Sequence, residues 1–201
     1  GSQFQTHYLP WISPARNQWG SAVSASGTND VWVVGDGTGS GNYSYIWHWN
    51  GVSWSQVPGP TPGRSRVLED VVAISPNDVW AGGNYTDLSY NTHPWIIHWN
   101  GSSWSDVPTP AGGSAFAVWS ANDIMTLGAS GWAHWNGTTW TAEAGPELWP
   151  AGAILGIDTV SPCDLLGVGV LFKAGVATPH TVRLRPMAAS DTDGDGIGNA
   201  Q

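Results

Sequence analysis

Short apolar segments alternate with turn-forming residues along most of this chain. Val, Ile, Ala and Trp dominate the segments, and Gly, Pro, Asn, Asp and Ser separate them, which is the pattern of β-strands joined by tight turns. The predicted strands cover residues 21–26, 31–34, 45–49, 54–57, 71–75, 79–81, 95–99, 104–107, 116–120, 124–127, 132–135, 140–144, 155–161, 165–168 and 181–185. The pattern therefore predicts an all-β protein.

Two motifs recur along the chain. His-Trp-Asn-Gly-x-Ser/Thr-Trp occupies residues 48–54, 98–104 and 134–140. A turn ending in Asp precedes it, and the four aspartates are Asp30, Asp78, Asp123 and Asp164. A repeat of about 40 to 50 residues with several short strands in each unit is typical of propeller blades. We therefore predict a four-bladed β-propeller with four-stranded antiparallel blades over residues 1–187 and a separate tail over residues 188–201.

The fourth unit lacks a fourth strand, whereas the N-terminus has an unassigned one. Pro10 precedes Asn29 by the same interval that separates Pro58 from Asn77. This register predicts that residues 6–10 form a strand that completes the last blade. The blade belongs either to the same chain, which closes the ring, or to a neighbouring molecule. A piece of a larger propeller is a further alternative.

The Asn-Gly dipeptide of the motif predicts a two-residue hairpin turn. In that register His48 lies opposite Ser53, His98 opposite Ser103 and His134 opposite Thr139, so each imidazole would have a hydroxyl partner. The same register pairs residue 47 with 54, 97 with 104 and 133 with 140 as packing partners. We therefore interpret the motif residues as structural.

Charge and cysteine content exclude several classes of function. The formal net charge is −9, with only 6 Lys and Arg residues, so the chain lacks the clustered basic residues that bind nucleic acid or an anionic membrane. Cys163 is the single cysteine, so no internal disulfide can form. Lys173 is the single lysine, which is a compositional hint against the cytosol. No apolar run reaches the roughly 18 residues of a membrane span.

The motifs resemble those of a known group of proteins. Ser-Pro-Asn-Asp-Val-Trp-Ala-Gly-Gly at 75–83 and His-Trp-Asn-Gly-Ser-Ser-Trp-Ser at 98–105 resemble repeats of secreted and surface-bound bacterial β-propeller proteins. The hairpin also resembles the Asp-box of sialidase-like propellers, although Trp99 stands where that motif has Asp. The resemblance covers residues 3–187. It implies a propeller located extracellularly or at the cell surface, usually without known activity.

The C-terminal tail carries the most specific chemical signal. Asp191, Asp193 and Asp195 alternate with Thr and Gly, so three carboxylates and the carbonyl of Ile197 would face one Ca²⁺ ion. The stretch resembles the start of a thrombospondin type 3 repeat. It departs from that repeat at Asn199, where the family has Asp, and at Gln201, where it has Cys. We predict a structural Ca²⁺ site in the tail.

The segments that differ between repeats are the candidates for ligand binding. They comprise the connections between strands two and three and the connections between units, which usually reach one face of a propeller. Exposed aromatic rings beside polar groups suit a sugar. The candidates are Tyr43, Tyr85, Asp87, Tyr90, His93, Trp11, Trp19, Arg64, Arg66 and Trp149. The glycosylation sequons are at Asn42, Asn84, Asn100 and Asn136, of which the first two are expected in accessible loops.

Catalytic motifs are absent from the sequence. There is no Gly-x-Ser-x-Gly elbow, and the six basic residues are scattered over different units. We therefore expect an extracellular, non-catalytic module for surface adhesion or scaffolding. The alternatives are a lectin that uses the loop face, with glycans as partners, and a subunit of an extracellular filament or oligomer joined by strand exchange or by the tail.

Overall fold

In this computed structural model, the regular structure of the described residues consists of fifteen β-strands. The structure describes residues 6–11, 17–38, 42–128, 130–143, 152–161, 164–173 and 176–184. The strands form four antiparallel sheets in chain order, so the prediction of an all-β chain with four blades is confirmed. Within the described ranges no helix is long and apolar enough to cross a membrane.

The strands of each blade follow one another in sequence. The first blade contains β1 (Asn17–Gly27), β2 (Asp30–Thr38), β3 (Asn42–Trp49) and β4 (Trp54–Gln56). The second contains β5 (Ser65–Ser75), β6 (Asp78–Thr86), β7 (Thr92–Trp99) and β8 (Trp104–Val107). The third contains β9 (Ala115–Ser120), β10 (Asp123–Gly128), β11 (Gly131–Trp135) and β12 (Trp140–Glu143). The fourth contains β13 (Gly152–Ser161), β14 (Asp164–Lys173) and β15 (Val176–Leu184).

Several strands are longer than the sequence predicts, because glycines that were expected to end them lie inside them. Gly35 pairs with Gly20 on β1 and with Tyr45 on β3. A Cβ atom at Gly35 would collide with the backbone of Trp19, so the glycine permits close approach of two strands. As a result, most of the predicted loops 35–44 and 83–94 are paired strands.

The chain divides into two compact units, Gly1–Pro108 and Thr109–Gln201. In the first unit, the core between the two blades includes Trp32, Leu68, Val79, Trp95 and Ile97, all with at most 4% exposure. The second unit has its own core, formed by Ala115, Ala117, Trp132, Ile157 and Leu165. Each unit thus buries the apolar faces of two blades against each other.

The hairpin of the repeated motif has a four-residue loop, so the predicted register was wrong by two residues. The Asn50 side-chain oxygen accepts hydrogen bonds from the Val52 and Ser53 amides, both at 3.0 Å, and the Asn50 amide donates to the Ser53 carbonyl. This side-chain turn lengthens the loop. The paired residues are therefore Trp49 with Trp54, Trp99 with Trp104, and Trp135 with Trp140.

The N-terminal segment does not form the strand that the repeat register predicts. Residues 6–11 have no strand conformation, and they pack on the first blade. Leu9 contacts the cluster formed by Val33, Tyr45 and Trp47, and the Trp47 indole donates to the Pro10 carbonyl at 3.2 Å. The fourth sheet has three strands in the described residues. A docking site for Leu9 and Pro10 on the first blade explains why the segment leaves the repeat pattern.

Candidate functional site

The histidine of each repeated motif pairs with the aspartate of the preceding turn. His48 Nε2 lies 2.7 Å from Asp30 Oδ1, and the equivalent distance in the second and third blades is 2.8 Å. The predicted hydroxyl partners are wrong, because the four-residue loop places His48 opposite Ser55. In the fourth blade, Arg183 stands in the histidine position and donates to Asp164.

Other motif residues complete a small polar network. Asp30 also accepts hydrogen bonds from the Trp32 indole, at 3.0 Å, and from the Ser26 hydroxyl. The Trp32 and His48 rings stack with centroids 4.2 Å apart. Ser26 donates to the aspartate rather than to the imidazole, so His48 does not activate it as a nucleophile. The arrangement joins one turn to strands β2 and β3, which supports the structural interpretation of the motif.

A crevice of about 440 Å³ opens beside this network in the first unit. Its walls include Trp32, His48 and Asn29 of the first blade and Trp99 and Pro76 of the second. The Trp99 indole is held by the Pro76 carbonyl at 3.1 Å. The crevice therefore combines aromatic walls with polar groups that are mostly engaged within the protein.

Five predicted ligand-binding residues lie close together in the second blade. Their contacts with one another stabilise the connection between β6 and β7. Asp87 accepts from the Ser89 and Asn91 amides, from the Asn91 side chain and from His93 at 2.9 Å. These hydrogen bonds, that from His93 foremost, hold the pKa of Asp87 well below its usual range. The remaining contacts are a Tyr85–His93 ring stack and the Arg64 guanidinium 4.0 Å from the Tyr90 ring centre. A carboxylate with four protein donors has little capacity left for a ligand.

Arg66 has a different environment from Arg64. Its Nε atom is buried, and no hydrogen-bond acceptor for it lies in the described part of the chain. Its guanidinium lies 5.6 Å from the centre of the Tyr43 ring. Burial lowers the pKa of Arg66, although the nearby Tyr43 and Tyr45 hydroxyls oppose this shift. Burial likewise raises the pKa of Tyr45.

Arg66 borders a cleft of about 240 Å³ that we call the Arg66 cleft. Residues of β3, β4, β5 and β7 form its walls together with the connection that follows β4. These residues are Tyr43, Ser44, Tyr45, Ile46, Gln56, Val57, Pro58, Gly59, Pro60, Thr61, Arg66 and Trp95. The cleft therefore presents one cation and two phenol groups beside a proline-rich wall.

A buried carboxyl group lies in strand β2 of the first blade. Asp36 is 6% exposed, and its pKa is raised because burial disfavours the charged form. A hydrogen bond from Trp19 opposes this shift, whereas the charge of Glu69 adds to it. Glu69 in turn accepts from the Asn84 side chain at 3.5 Å. Trp19, predicted as a ligand contact, is thus engaged with Asp36.

The sequon predictions need one correction. Asn42 and Asn84 lie in strands β3 and β6, not in loops, because those strands extend through the expected connections. Asn84 is half-buried, and the side-chain nitrogen that would carry a glycan is the one that donates to Glu69. Asn100 and Asn136 are exposed in the hairpin loops, where their side-chain oxygens stabilise the turn.

Three of the predicted sites are Trp11, Trp149 and the calcium site, and the structure does not test them as binding sites. Trp11 is described and is 64% exposed in the N-terminal segment. Trp149 and the whole predicted calcium site, Asp191, Asp193, Asp195, Ile197 and Asn199, lie outside the described residues. Within the described ranges, no three His, Cys, Asp or Glu side chains are grouped to hold a metal ion.

Sequence reasoning placed Arg66 and Tyr43 at a site but missed most of their neighbours. Tyr45 and Trp95 lie in strands that the sequence predicts, so they were not considered as site residues. The connection 58–61 was not assigned to any predicted segment. The only signal available was alternation: Tyr43, Tyr45 and Trp47 share one face once β3 is known to begin at Asn42. That start depends on pairing with Thr38, across a connection that reads as loop.

Comparisons with known proteins support the fold. No protein-family model matches the chain, and no curated protein matches it. Among solved structures, a YCF48 protein bound to a D1 peptide is similar with a TM-score of 0.54 and 15% identity, over 87% of this chain and 59% of that one. The GH74 xyloglucanase from Xanthomonas campestris gives a TM-score of 0.48 and 12% identity, over 80% of this chain and 28% of that one.

The four sheets and the first of these similarities define the class of the protein. The chain is a β-propeller protein of four blades. It spans less than two thirds of the length of either solved relative. Fold alone does not give function, which must be argued from the site.

Proposed function

We propose that this protein is a non-catalytic binding module that acts outside the cell and holds a carboxylate-bearing ligand in the Arg66 cleft. The observation that carries the proposal is the buried Arg66 Nε, which has no acceptor among the described residues. A buried donor without a partner costs about 1–3 kcal/mol. A carboxylate that binds the Arg66 guanidinium from the cleft would compensate its buried charge.

The chemistry of the cleft favours a carboxylate. The guanidinium is a planar fork that donates two parallel hydrogen bonds to a carboxylate. Tyr43 and Tyr45 lie nearby and supply aromatic faces and hydroxyls. At about 240 Å³ the cleft is below the roughly 300 Å³ at which pockets for whole drug-sized ligands begin. It therefore suits one group of a larger ligand.

Other evidence supports a binding role without chemistry. One solved protein of this fold was captured with a bound peptide, so the scaffold is compatible with ligand binding. The low lysine content and the resemblance of the repeats to those of secreted bacterial propellers support a location outside the cell. Attachment to a surface or scaffold through such a ligand would give the module its adhesive role.

The simplest test uses sodium acetate as the probe. In ¹⁵N–¹H spectra of the full chain, we expect saturable shifts of the Arg66 Nε–H signal and of the Ser44 and Tyr45 amides. Sodium chloride at matched ionic strength should leave these signals in place. The Arg66→Gln variant should lose the response at Ser44 and Tyr45. Equal shifts with acetate and chloride, or no shifts with either, would refute the proposal.

Carbohydrate binding is a second candidate, supported by the larger crevice of the first unit. Its Trp32, His48 and Trp99 rings and its neighbouring hydroxyls are group types that hold neutral sugars. A glycan array of the full chain tests this function. A bound neutral glycan that acetate does not displace, but that a Trp99→Ala variant no longer binds, would assign the crevice as its site. An array without any bound glycan would eliminate the candidate.

We also propose that the tail binds Ca²⁺, on the strength of its sequence. Alternating carboxylates of Asp191, Asp193 and Asp195 are hard oxygen ligands at the spacing that Ca²⁺-binding loops use. Calorimetric titration of the full chain with CaCl₂ should show one binding event. Asp193→Asn should weaken it by at least about tenfold, because a charged ligand is lost. Identical heats for the two proteins would contradict the assignment.

A further inference from the structure

Beside the Arg66 cleft, strand β3 has an edge at Ser44 that no other strand of the described residues covers, and we call it the free edge. The strand pairs with β2 over its whole length, from Asn42 to Trp49. On its other side β4 pairs only with residues 47–49, and one further hydrogen bond joins the Val57 amide to the Ile46 carbonyl. The chain then continues through Pro58, Gly59 and Pro60, which have no strand conformation and do not extend the pairing with β3. Within the described residues, no strand lies along 42–45 on this side.

The orientation of the free backbone groups follows from the pairing. Along a strand, the N–H and C=O groups of alternate residues point to the same side. Those of Ile46 point toward β4, as the bond from Val57 shows. The N–H and C=O groups of Ser44 therefore point in the same direction. Ser44 also lines the Arg66 cleft, so the free edge and the guanidinium face a common space.

The equivalent strand of the second blade lacks the backbone donor that the first blade has at this edge. In β7 the residue that corresponds to Ser44 is Pro94, because Trp95 pairs with Gly83 as Tyr45 pairs with Gly35. A proline offers no donor at that position. Pro94 nevertheless pairs with Asn84 in an intact strand. The repeat thus tolerates proline at this register, whereas the first blade keeps a donor next to Arg66.

We infer that the ligand of the Arg66 cleft is an extended peptide, which adds as a strand to the edge of β3 at Ser44 and places a carboxylate against Arg66. The inference deepens the proposed function and rests on it. Peptide addition to a sheet edge draws affinity from main-chain hydrogen bonds, and pockets supply selectivity. Here Arg66 supplies the charge complementarity. The carboxylate comes from the peptide C-terminus or from an Asp or Glu side chain, which share the same chemistry.

The test is a titration of the full chain with three variants of one short Val- and Thr-containing peptide. The first has a free C-terminus, the second a C-terminal amide, and the third an internal Asp with an amidated end. A fourth ligand repeats the best binder with one backbone nitrogen methylated, which removes a ladder hydrogen bond. Acetate and glucuronate serve as reference ligands without a peptide backbone. Affinities are measured from the Ser44 and Tyr45 amide shifts and by calorimetry.

Two protein variants separate the edge from the charge. Ser44→Pro copies the residue of the second blade, so the β2–β3 pairing should persist and can be verified from the remaining amide signals. Arg66→Lys keeps the charge but removes the planar fork. We expect the best peptide to bind at least about tenfold more tightly than acetate, a ratio that corresponds to about 1.4 kcal/mol. Ser44→Pro and backbone methylation should each remove most of that advantage, and Arg66→Lys should weaken acetate and peptide alike.

The possible results separate the two proposals. Saturable acetate binding with no tighter binding by any peptide would overturn the inference and leave the proposed function standing. Tighter binding of glucuronate than of every peptide would overturn it as well, in favour of an acidic sugar. Absence of acetate binding would overturn the proposed function and the inference together. The difference between the free C-terminus and the internal Asp identifies the source of the carboxylate.

Discussion

The aspartate that begins the second strand of each blade has the same chemical role in three blades but a different environment in each. Asp30 has an 11% exposed side chain and accepts from three side chains. The Asp78 side chain is 25% exposed and the Asp123 side chain is 50% exposed, and each accepts from its histidine. Buried donors left without an acceptor cost more than exposed ones, which water can satisfy.

We therefore expect alanine substitutions of these aspartates to destabilise the protein in order of burial. Asp30→Ala should lower the free energy of unfolding by about 2–3 kcal/mol, because it leaves several donors without an acceptor. The decrease should be about 1 kcal/mol for Asp78→Ala and less than about 1 kcal/mol for Asp123→Ala. Urea denaturation followed by tryptophan fluorescence measures the differences. Glu143→Ala, at an exposed carboxylate, is the control. Equal costs at the three aspartates would contradict the argument from burial.

Asp36 gives a prediction about pH. Its pKa is raised in the folded state, chiefly by burial, so the folded protein binds this proton more tightly than the unfolded chain does. The associated stability is present below the unfolded pKa of about 3.9 and is lost as pH rises through the folded pKa. Asp36→Asn should therefore be more stable than the wild type at pH 7, with the difference shrinking toward pH 4. Denaturation at both pH values tests this, and a larger advantage at pH 4 would reverse the sign.

At the residue scale, the sequence indicated which motif residues are structural but not how they pair. It selected His48 and Asp30 because both recur in every full repeat. It could not show their contact, since the connection between strands two and three varies in length and changes their separation. Arg66 and Tyr43 were found as site candidates for a similar reason, namely that they lie where the repeats differ. Their proximity appears only after the strands are packed.

Among the elements, the motif hairpin depends on its glycine. Gly51 has a φ of +92°, and a Cβ atom there would lie 2.5 Å from the Asn29 side-chain oxygen. Gly131 has a φ of +114° with open space around it, whereas Gly27 has open space and no positive φ. Substitutions at these three glycines can therefore distinguish the loss of stability caused by backbone strain from the loss caused by a steric clash.

Alanine substitutions at the three positions should follow that separation. Gly51→Ala should cost about 2–3 kcal/mol, since strain and collision add, and Gly131→Ala about 1 kcal/mol from strain alone. Gly27→Ala should change stability by less than about 1 kcal/mol, and in the stabilising direction. Thermal unfolding by circular dichroism provides the comparison. If Gly131→Ala proved as costly as Gly51→Ala, the contact with Asn29 would not matter.

The same elements show where prediction from sequence stops. Most strands were located because alternation and turn residues mark them. Their ends were missed where glycine lies within a strand, as at Gly35, because a local pattern does not distinguish a glycine that ends a strand from one that lets another backbone approach. The free edge of β3 lies beyond the end of β4 at Gln56, yet its role in the proposal depends on Arg66 from another blade.

Across the whole molecule, charge limits the partners. The net charge is −9 and the pI is about 4.7, and the chain has only 6 Lys and Arg residues. We expect the full chain to be retained on an anion exchanger at pH 7 and to pass through a heparin column at 0.1 M salt, because polyanions are bound through clustered Lys and Arg. Salt-dependent retention on heparin would contradict the exclusion of nucleic-acid and anionic-membrane partners.

The sequence by itself determined the all-β class, the number of blades and the location of most strands. It could do so because a repeated local pattern of apolar and turn residues is stabilised in the same way in every blade. Only the tertiary structure decided the hairpin register, the docking of residues 6–11 on the first blade and the composition of the Arg66 cleft. The docking and the cleft depend on contacts between residues far apart in the chain, whose spacing a local pattern does not constrain. The register depends on side-chain hydrogen bonds of Asn50 that the Asn-Gly dipeptide does not reveal.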